Sequence, residues 1–257
     1  MTREQAAERL RASGLPDVAV ETVLTHLEAA DHEGKHGHGL SRIPWLEQLL
    51  GGDRDPVAKP ERIERTEGFE RWHGRGALGY LTLAAICDTL VADPPGHLRL
   101  VVAHSCFPTG VLGAWARRLA ESGLVAVVTA TSPRRLSHPD GGPPLTGTNP
   151  IAIAVPSSDG RPLVADVSMG AVTHGDVLSG RARPEELVPF GGPHAHKAFA
   201  LAAGVELLVG ALAGPEPGAV VLAARPGFDP VPGFRELADG RRLPGDQGPS
   251  RRDRDVG

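Results

Sequence analysis

Three histidines, one lysine and one arginine stand close together in the segment Asp31–Arg42, which reads DHEGKHGHGLSR. The imidazole of a residue such as His38 gains and loses a proton near neutral pH, so it can act as a general acid or base. The guanidinium of Arg42 can hold a carboxylate through two parallel hydrogen bonds, which a lysine cannot do. The segment is therefore a candidate site for proton transfer on a small carboxylate, although the same residue types also occur in solvated loops.

A metal site is the other chemistry that these histidines permit. His32 and His36 are four residues apart, so one helical turn would place them side by side. Gly34 disfavours a helix there, and Lys35 adds a positive charge between the two rings. With no cysteine or further histidine cluster to complete a ligand shell, we expect no bound metal.

The composition is that of a soluble globular protein, with 40% hydrophobic and 23% charged residues among 257. A net charge of −4 and scattered basic residues argue against nucleic acid as a partner, and the basic run Arg251–Arg254 is expected to be a frayed tail. Two distant cysteines, Cys87 and Cys106, fit a reducing cytoplasm. The apolar stretch Ala198–Gly214 is short for a membrane span and carries Glu206, so we expect a buried helix, and a protein without membrane contact.

The elements that must position the candidate residues follow from hydrophobic spacing. Helical spacing is predicted over residues 3–13, 16–31, 41–52, 74–93, 111–123 and 198–214. Short β-branched runs predict strands over residues 98–105, 124–132, 151–156, 161–168 and 219–225. Strands alternating with helices indicate an α/β protein in which helices cover a sheet, followed by a loosely held tail from Gly227. No GxGxxG follows a strand, so a Rossmann site is not supported.

Several motifs, taken in order, resemble those of the type 2 malate/L-lactate dehydrogenase family. AADHEGKHGHGLSRIPWLEQLLGG resembles its N-terminal signature, whose usual pattern is Ser-His-Gly-x-x-Arg. GTNPIAIAVP (Gly147–Pro156) and LVADVSMG (Leu163–Gly170) resemble its central strands. PFGG (Pro189–Gly192), the helix that follows it, and LPGDQ (Leu243–Gln247) resemble its later motifs. Agreement of several motifs in the same order makes the resemblance specific.

This resemblance implies a non-Rossmann malate/L-lactate dehydrogenase type 2-like fold, with a helical N-terminal part (1–75), a mixed β-sheet domain covered by helices (76–226) and a C-terminal extension and flexible tail (227–257). It also implies a homodimer that binds NADPH or NADH. The residues expected to position cofactor or substrate are Thr148, Asn149, Gly191, Gly192 and Lys197.

The resemblance assigns chemistry to three matching residues. His38 is expected to donate the proton and Arg42 to clamp the substrate carboxylate. Asp166 is expected to pair with His38, fix its tautomer and raise its pKa. The substrate would be a small carboxylate.

The chain departs from the family pattern at two catalytic positions. Gly37 replaces the usual serine, and Pro108 stands where the family has a second histidine. His104 or Cys106 could take over that role, His38 could work alone, or the reaction could differ. The segment between Gly170 and Pro189 is also shorter than is usual in the family.

Three hypotheses remain open from the sequence. The preferred one is an NAD(P)H-dependent reductase of a C=N or C=O bond beside a carboxylate, a 2-imino or 2-oxo acid, in specialised biosynthesis. The second is a non-redox acid–base enzyme (a cyclase, lyase or isomerase) on a small carboxylate, built on the same fold. The third is a degenerate binding or partner subunit.

Overall fold

The structure is a computed structural model that describes residues 1–52 and 54–246. Its α-helices are Arg3–Ala12 (α1), Asp17–His32 (α2), Ile43–Leu50 (α3), Gly79–Ala92 (α4), Leu112–Glu121 (α5), His174–Leu178 (α6), Ala195–Ala213 (α7) and Val231–Ala238 (α8). The helices predicted from the sequence are all present, and α6 and α8 are additional.

The first three helices form the wall behind the Asp31–Arg42 segment. Thr2 and Gln5 form a capping box that starts α1, because each side chain satisfies a backbone amide of the first turn. Leu10 of α1, Leu24 of α2 and Leu46 of α3 are 0%, 1% and 0% exposed, so the three helices share one core.

The strands are Glu61–Arg65 (β1), Phe69–His73 (β2), Leu98–His104 (β3), Val125–Ala130 (β4), Leu136–His138 (β5), Gly141–Thr146 (β6), Ile151–Val155 (β7), Leu163–Val167 (β8) and Ala219–Ala224 (β9). Over the described residues, seven of them form one sheet in the order β1-β2-β3-β9-β4-β7-β8, while β5 pairs with β6. Strands β2 and β3 run parallel, and the other neighbours in the sheet run antiparallel.

The last strand lies at the centre of the sheet. Val221 of β9 is opposite Val101 of β3 on one side and Val128 of β4 on the other. These small, β-branched side chains pack well on a sheet that is covered on both faces. Helix α5 packs against β4, β7 and β8, and α7 packs against β3, β4 and β9. The mixed sheet covered by helices confirms the predicted fold class.

Some local predictions are corrected by the structure. The stretch HPDGGPPLTGTNP, residues 138–150, is rich in Gly and Pro and predicts a turn region, but β6 lies within it because β5 offers it a backbone partner. Within the N-terminal part, the alternating residues Ile63, Arg65, Phe69 and Trp72 predict short extended pieces, and these are the edge strand β1 and its neighbour β2. The predicted loose tail contains α8 and a 3.1 Å ion pair between Arg235 and Asp246. Gln247 and the basic run Arg251–Arg254 lie outside the described residues.

Helix α7 is buried on one face only, so the prediction of a buried helix is wrong for its outer side. Ala202 and Val209 face the sheet and are 0% exposed. Leu201 and Leu207, on the outer side, are 56% and 73% exposed. By length and composition alone, the span Gly192–Ala213 could cross a membrane.

Candidate active site

A cavity of about 460 Å³ lies where three segments meet. Gly34–His38 with Arg42 forms one wall, the loop Phe107–Leu112 forms the second, and α6 with the turn before it forms the third. His26 of α2 fixes the second wall, because its Nε2 accepts a 2.8 Å hydrogen bond from the backbone amide of Val111. The volume is within the range of small-molecule sites.

Arg42 lines this cavity as a nearly buried cation. The residue is 8% exposed, and its guanidinium carbon lies 4.4 Å from the centre of the Trp45 ring. Neither Nε nor Nη1 has a hydrogen-bond partner among the described residues. Burial lowers the pKa of Arg42, but an arginine stays protonated in proteins. A buried guanidinium with unused donors is suited to a carboxylate.

His38 also lines the cavity, but its charge state differs from the prediction. Burial, followed by the neighbouring charge of Arg42, lowers the pKa of His38 to about 4 against an opposing effect of Asp166. The expected rise in its pKa is therefore wrong, and the ring is neutral near pH 7. Its Nδ1 has no hydrogen-bond partner among the residues that the structure describes.

Asp166 pairs with Lys35 rather than with His38. Its Oδ2 lies 2.9 Å from Lys35 Nζ, and Glu33 lies 3.2 Å from the same ammonium group. Burial opposes the charge on Lys35, but Asp166 and Glu33 outweigh it and raise the pKa of the lysine. The prediction that Asp166 fixes the tautomer of His38 is therefore corrected. Sequence reasoning missed Lys35 as a functional candidate, although its place three residues before His38 was a usable signal.

Gly37 is a glycine because α6 occupies the space of a side chain there. A Cβ on Gly37 would lie 2.6 Å from Thr173 Oγ1 and 2.7 Å from Asp176 Oδ1. Thr173 caps α6 and Asp176 completes its capping box, so both are fixed where they stand. The packing of α6 against Gly37 thus accounts for the absence of a serine at this position.

The same helix brings a second histidine to the cavity. His174 lines it, with its ring centre 6.4 Å from that of Trp45. Burial, followed by the charges of Arg135 and Arg42, lowers the pKa of His174 to about 4. Arg135 also lines the cavity. No sequence motif marked either residue.

Neither residue expected to replace the family's second histidine reaches the cavity. Pro108 does line it, but His104 ends β3 and has its Nε2 3.0 Å from Nη1 of Arg71. Cys106 is 0% exposed, and burial raises its pKa to about 12. A thiol so enclosed cannot exchange a proton with a substrate, which argues against Cys106. A role for His104 would have to lie outside this cavity and stays a prediction.

The five predicted cofactor-positioning residues do not lie together in the structure. Thr148 lines the cavity, whereas Asn149 is fully buried, with its Nδ2 donating to the carbonyl of Ala202 (2.9 Å) and to Glu206 (2.7 Å). Three further predicted residues are exposed outside the cavity around the start of α7: Gly191, Gly192 and Lys197. Their role in holding a cofactor stays a prediction.

A second cavity of about 720 Å³ adjoins the first. The two share Gly34, Lys35, His36 and Asp166 as lining residues. His36 turns its Nδ1 to Asp31 Oδ1 at 3.0 Å. Within residues 1–52 and 54–246, no cluster of three metal-binding side chains is found.

The structure is thus an α/β protein with a mixed sheet, whose cavity holds a buried arginine beside a neutral histidine. Residues 2–187 match the family described as malate/L-lactate dehydrogenase. The chain belongs to that family.

Two curated relatives illustrate the family. Over 224 residues the chain is 32% identical to a Delta(1)-pyrroline-2-carboxylate/Delta(1)-piperideine-2-carboxylate reductase of Pseudomonas putida, covering 76% of this chain and 65% of the relative. Over 185 residues it is 32% identical to the (2R)-3-sulfolactate dehydrogenase (NADP(+)) of Chromohalobacter salexigens, covering 71% and 55%. The chain thus spans less than two thirds of the length of these relatives.

Solved structures show the same fold. The delta1-piperideine-2-carboxylate reductase from Pseudomonas syringae superposes with a TM-score of 0.84 at 24% identity, covering 95% of this chain and 89% of that one. Malate dehydrogenase from Entamoeba histolytica gives a TM-score of 0.79 at 20% identity, covering 95% and 85%.

Proposed function

We propose that this protein is an NAD(P)H-dependent reductase of a C=N or C=O bond beside a carboxylate, that is, of a 2-imino or 2-oxo acid. The observation that carries the proposal is Arg42, a nearly buried guanidinium in the cavity wall, two of whose nitrogens have no hydrogen-bond partner among the described residues. Leaving such a group unpaired costs free energy, which a bound carboxylate recovers. The reductase relatives act on carboxylates, which supports the same assignment.

Arg42 would hold the substrate carboxylate and so fix the neighbouring C2 in the cavity. The ring of Trp45 lies against the guanidinium and prevents it from turning freely. A second parallel hydrogen bond to the carboxylate then sets the orientation of the C=N or C=O bond.

Lys35 would supply the proton to the substrate nitrogen or oxygen. Its ammonium group donates to Asp166 and lies beside Glu33, and both carboxylates keep it protonated between turnovers. An ammonium has three donors, so one remains for the substrate. His38, being neutral, would contribute a hydrogen bond rather than the transferred proton. This division of roles replaces the expected His38 donor.

The residues present fit a nicotinamide dinucleotide. The second cavity joins the first at the Lys35–Asp166 pair and adds about 720 Å³. Arg117 and Arg242 line it, and the Nε of Arg117 is buried without a hydrogen-bond partner among the described residues. When bound, the reduced nicotinamide supplies the hydride to C2. Arg117 and Arg242 are the cations that would hold its phosphates.

The proposal is tested by titrating the protein with NADPH and NADH and by following reduced-nucleotide oxidation with Δ1-piperideine-2-carboxylate and with pyruvate. We expect binding of at least one nucleotide and carboxylate-dependent oxidation of it. Arg42→Met should abolish oxidation while leaving nucleotide binding, whereas the exposed Arg134→Met is the matched control. Absence of nucleotide binding would overturn the proposal.

A non-redox acid–base reaction on a small carboxylate is the second candidate. The Lys35–Asp166 pair provides acid–base chemistry without a cofactor, and the predicted residues Gly191, Gly192 and Lys197 lie outside both cavities. Turnover that continues after all nucleotide has been removed would favour this candidate. Strict dependence on NADPH or NADH would exclude it.

We also propose that the protein is a homodimer that associates through α7. Leu201, Leu207 and Leu208 are at least half exposed on the outer side of this helix. Such a row of apolar side chains is typical of a subunit interface. Light scattering should give the mass of a dimer, and Leu207→Arg should give that of a monomer.

A further inference from the structure

Arg135 lies in the cavity wall, and the hairpin formed by β5 and β6 fixes its position. Its backbone amide donates to the carbonyl of Thr146 at 2.8 Å, which holds the residue at the start of β5. Its side chain lines the cavity and donates from Nη1 to the carbonyl of Pro133 at 3.3 Å. The next residue back, Arg134, is exposed and does not line the cavity.

Two guanidinium groups in the cavity wall have no carboxylate partner among the described residues. Four cations and two carboxylates line it: Lys35, Arg42, Arg135 and Arg181 against Asp166 and Asp176. Asp166 is paired with Lys35 at 2.9 Å and Asp176 with Arg181 at 3.1 Å. Glu33 adds a third carboxylate behind the wall, but it lies beside Lys35 and Arg117, at 3.2 Å and 3.7 Å. Among the described residues, Arg42 and Arg135 form no ion pair, so neither of these two positive charges has a carboxylate in contact with it.

His174 stands near both of these arginines. Both positive charges act on its ring and, with burial, keep it neutral. Two like charges in one partly closed cavity repel each other, and burial strengthens the repulsion because little water screens it. A ligand with one carboxylate compensates only half of this charge. A ligand with two anionic groups compensates all of it.

We propose that Arg135 is a specificity-determining residue that binds a second anionic group, so that the preferred substrate is a 2-oxo or 2-imino acid carrying another carboxylate or sulfonate. The inference rests on the proposed function, in which Arg42 holds the carboxylate next to the reacting carbon. Arg135 takes the distal group, and neutral His174 can add a hydrogen bond to it. A phosphate of the cofactor has the same chemistry and is the competing source of the anion.

The test compares two acids of equal chain length by calorimetry, without any need for turnover. 2-Oxoglutarate and 2-oxopentanoate share five carbons and differ in a terminal carboxylate or methyl group. We expect the wild-type protein to bind 2-oxoglutarate roughly 10- to 100-fold more tightly. Oxaloacetate and 2-oxobutanoate repeat the comparison with four carbons. This second pair covers the case in which the spacing of Arg42 and Arg135 fits the shorter diacid.

Arg135→Met should remove this preference and leave the affinity for 2-oxopentanoate unchanged. Arg135→Lys, which keeps the charge but not the paired donors, should retain part of it, and Arg134→Met should retain all of it. A wild-type protein that binds the two acids of both pairs equally would overturn the inference. So would an Arg135→Met variant that keeps the preference.

Nucleotide titrations show whether Arg135 binds a phosphate of the cofactor. They also show whether the proposed redox function can fail while the anion site stands. If Arg135→Met weakens NADPH binding but not the preference between the acids, the residue binds a cofactor phosphate and the inference is wrong. If neither nucleotide binds, but the preference for the second carboxylate depends on Arg135, the redox function fails and the anion site stands. Melting temperatures within the error of wild type show that each variant is folded.

Discussion

Lys35 Nζ and Asp166 Oδ2 lie 2.9 Å apart, although the two residues are 131 positions apart in the chain. The pair stands between the two cavities and lines both of them. On one side lies Arg42, the proposed carboxylate clamp, and on the other lies the space proposed for the dinucleotide. The proton and the hydride would thus reach the substrate from neighbouring groups.

Lys35→Met should lower kcat while leaving nucleotide binding intact. Removing a positioned proton donor costs roughly 10²- to 10⁴-fold in rate. Lys35→Arg keeps the ion pair with Asp166 but is too weak an acid to donate, so it should be nearly as slow. Stopped-flow measurement of the hydride step checks this. A Lys35→Met variant with wild-type kcat would assign the proton to another group.

Arg42→Lys should raise KM much more than it lowers kcat. The variant keeps a positive charge but loses the second parallel hydrogen bond, which is worth about 1.5 to 3 kcal/mol when a charged group is involved. Steady-state kinetics on Δ1-piperideine-2-carboxylate give the two parameters. An unchanged KM would mean that the carboxylate lies elsewhere.

Gly37→Ser, which restores the residue usual in the family, should destabilise the protein. The new Cβ would lie 2.6 Å from Thr173 Oγ1, so α6 must shift, at a cost of about 1 to 3 kcal/mol. Chemical denaturation measures the loss of unfolding free energy. The double variant with Thr173→Gly should recover part of it, and full stability of Gly37→Ser would show that α6 does not pack there.

Acidification should destabilise the protein between about pH 6.5 and pH 3. Burial lowers the pKa of His26 to about 3, and the pKa values of His38 and His174 to about 4. In this window the unfolded chain binds protons that the folded chain does not, so stability is complete above pH 6.5 and is lost as pH falls. Each histidine contributes at most about 1.4 kcal/mol per pH unit. Denaturation at a series of pH values tests this, with His26→Gln expected to flatten the slope.

Cys106→Ala should leave kcat and KM unchanged. The thiol is fully buried, and its Sγ lies 3.7 Å from the carbonyl of Gly79 rather than in the cavity. Loss of activity in this variant, with an unchanged melting temperature, would reinstate the thiol as a functional group.

The fold was predictable because its signals are local. Periodic apolar residues mark helices such as α5, and short β-branched runs mark strands such as β9, whatever lies elsewhere in the chain. Motif order then indicated the family. The strand β6 was missed because its prolines and glycines favour a turn until β5 pairs with it.

The site was harder to predict because its residues interact across long distances in the sequence. Arg42 and His38 belong to one motif and do line one cavity. The ion-pair partner of Asp166 could not be predicted from a motif, because any of several cations in the chain could have paired with it. His174 and Arg135 carry no motif, and only the packing of α6 and the β5–β6 hairpin brings them to the cavity.

The most direct test of the proposed reductase is the oxidation of NADPH or NADH by the purified wild-type protein with Δ1-piperideine-2-carboxylate or a 2-oxo acid, measured beside Arg42→Met and Arg134→Met. The account predicts carboxylate-dependent oxidation in wild type and Arg134→Met, and none in Arg42→Met. Oxidation that persists in Arg42→Met, or a wild-type protein that binds neither nucleotide, would contradict it.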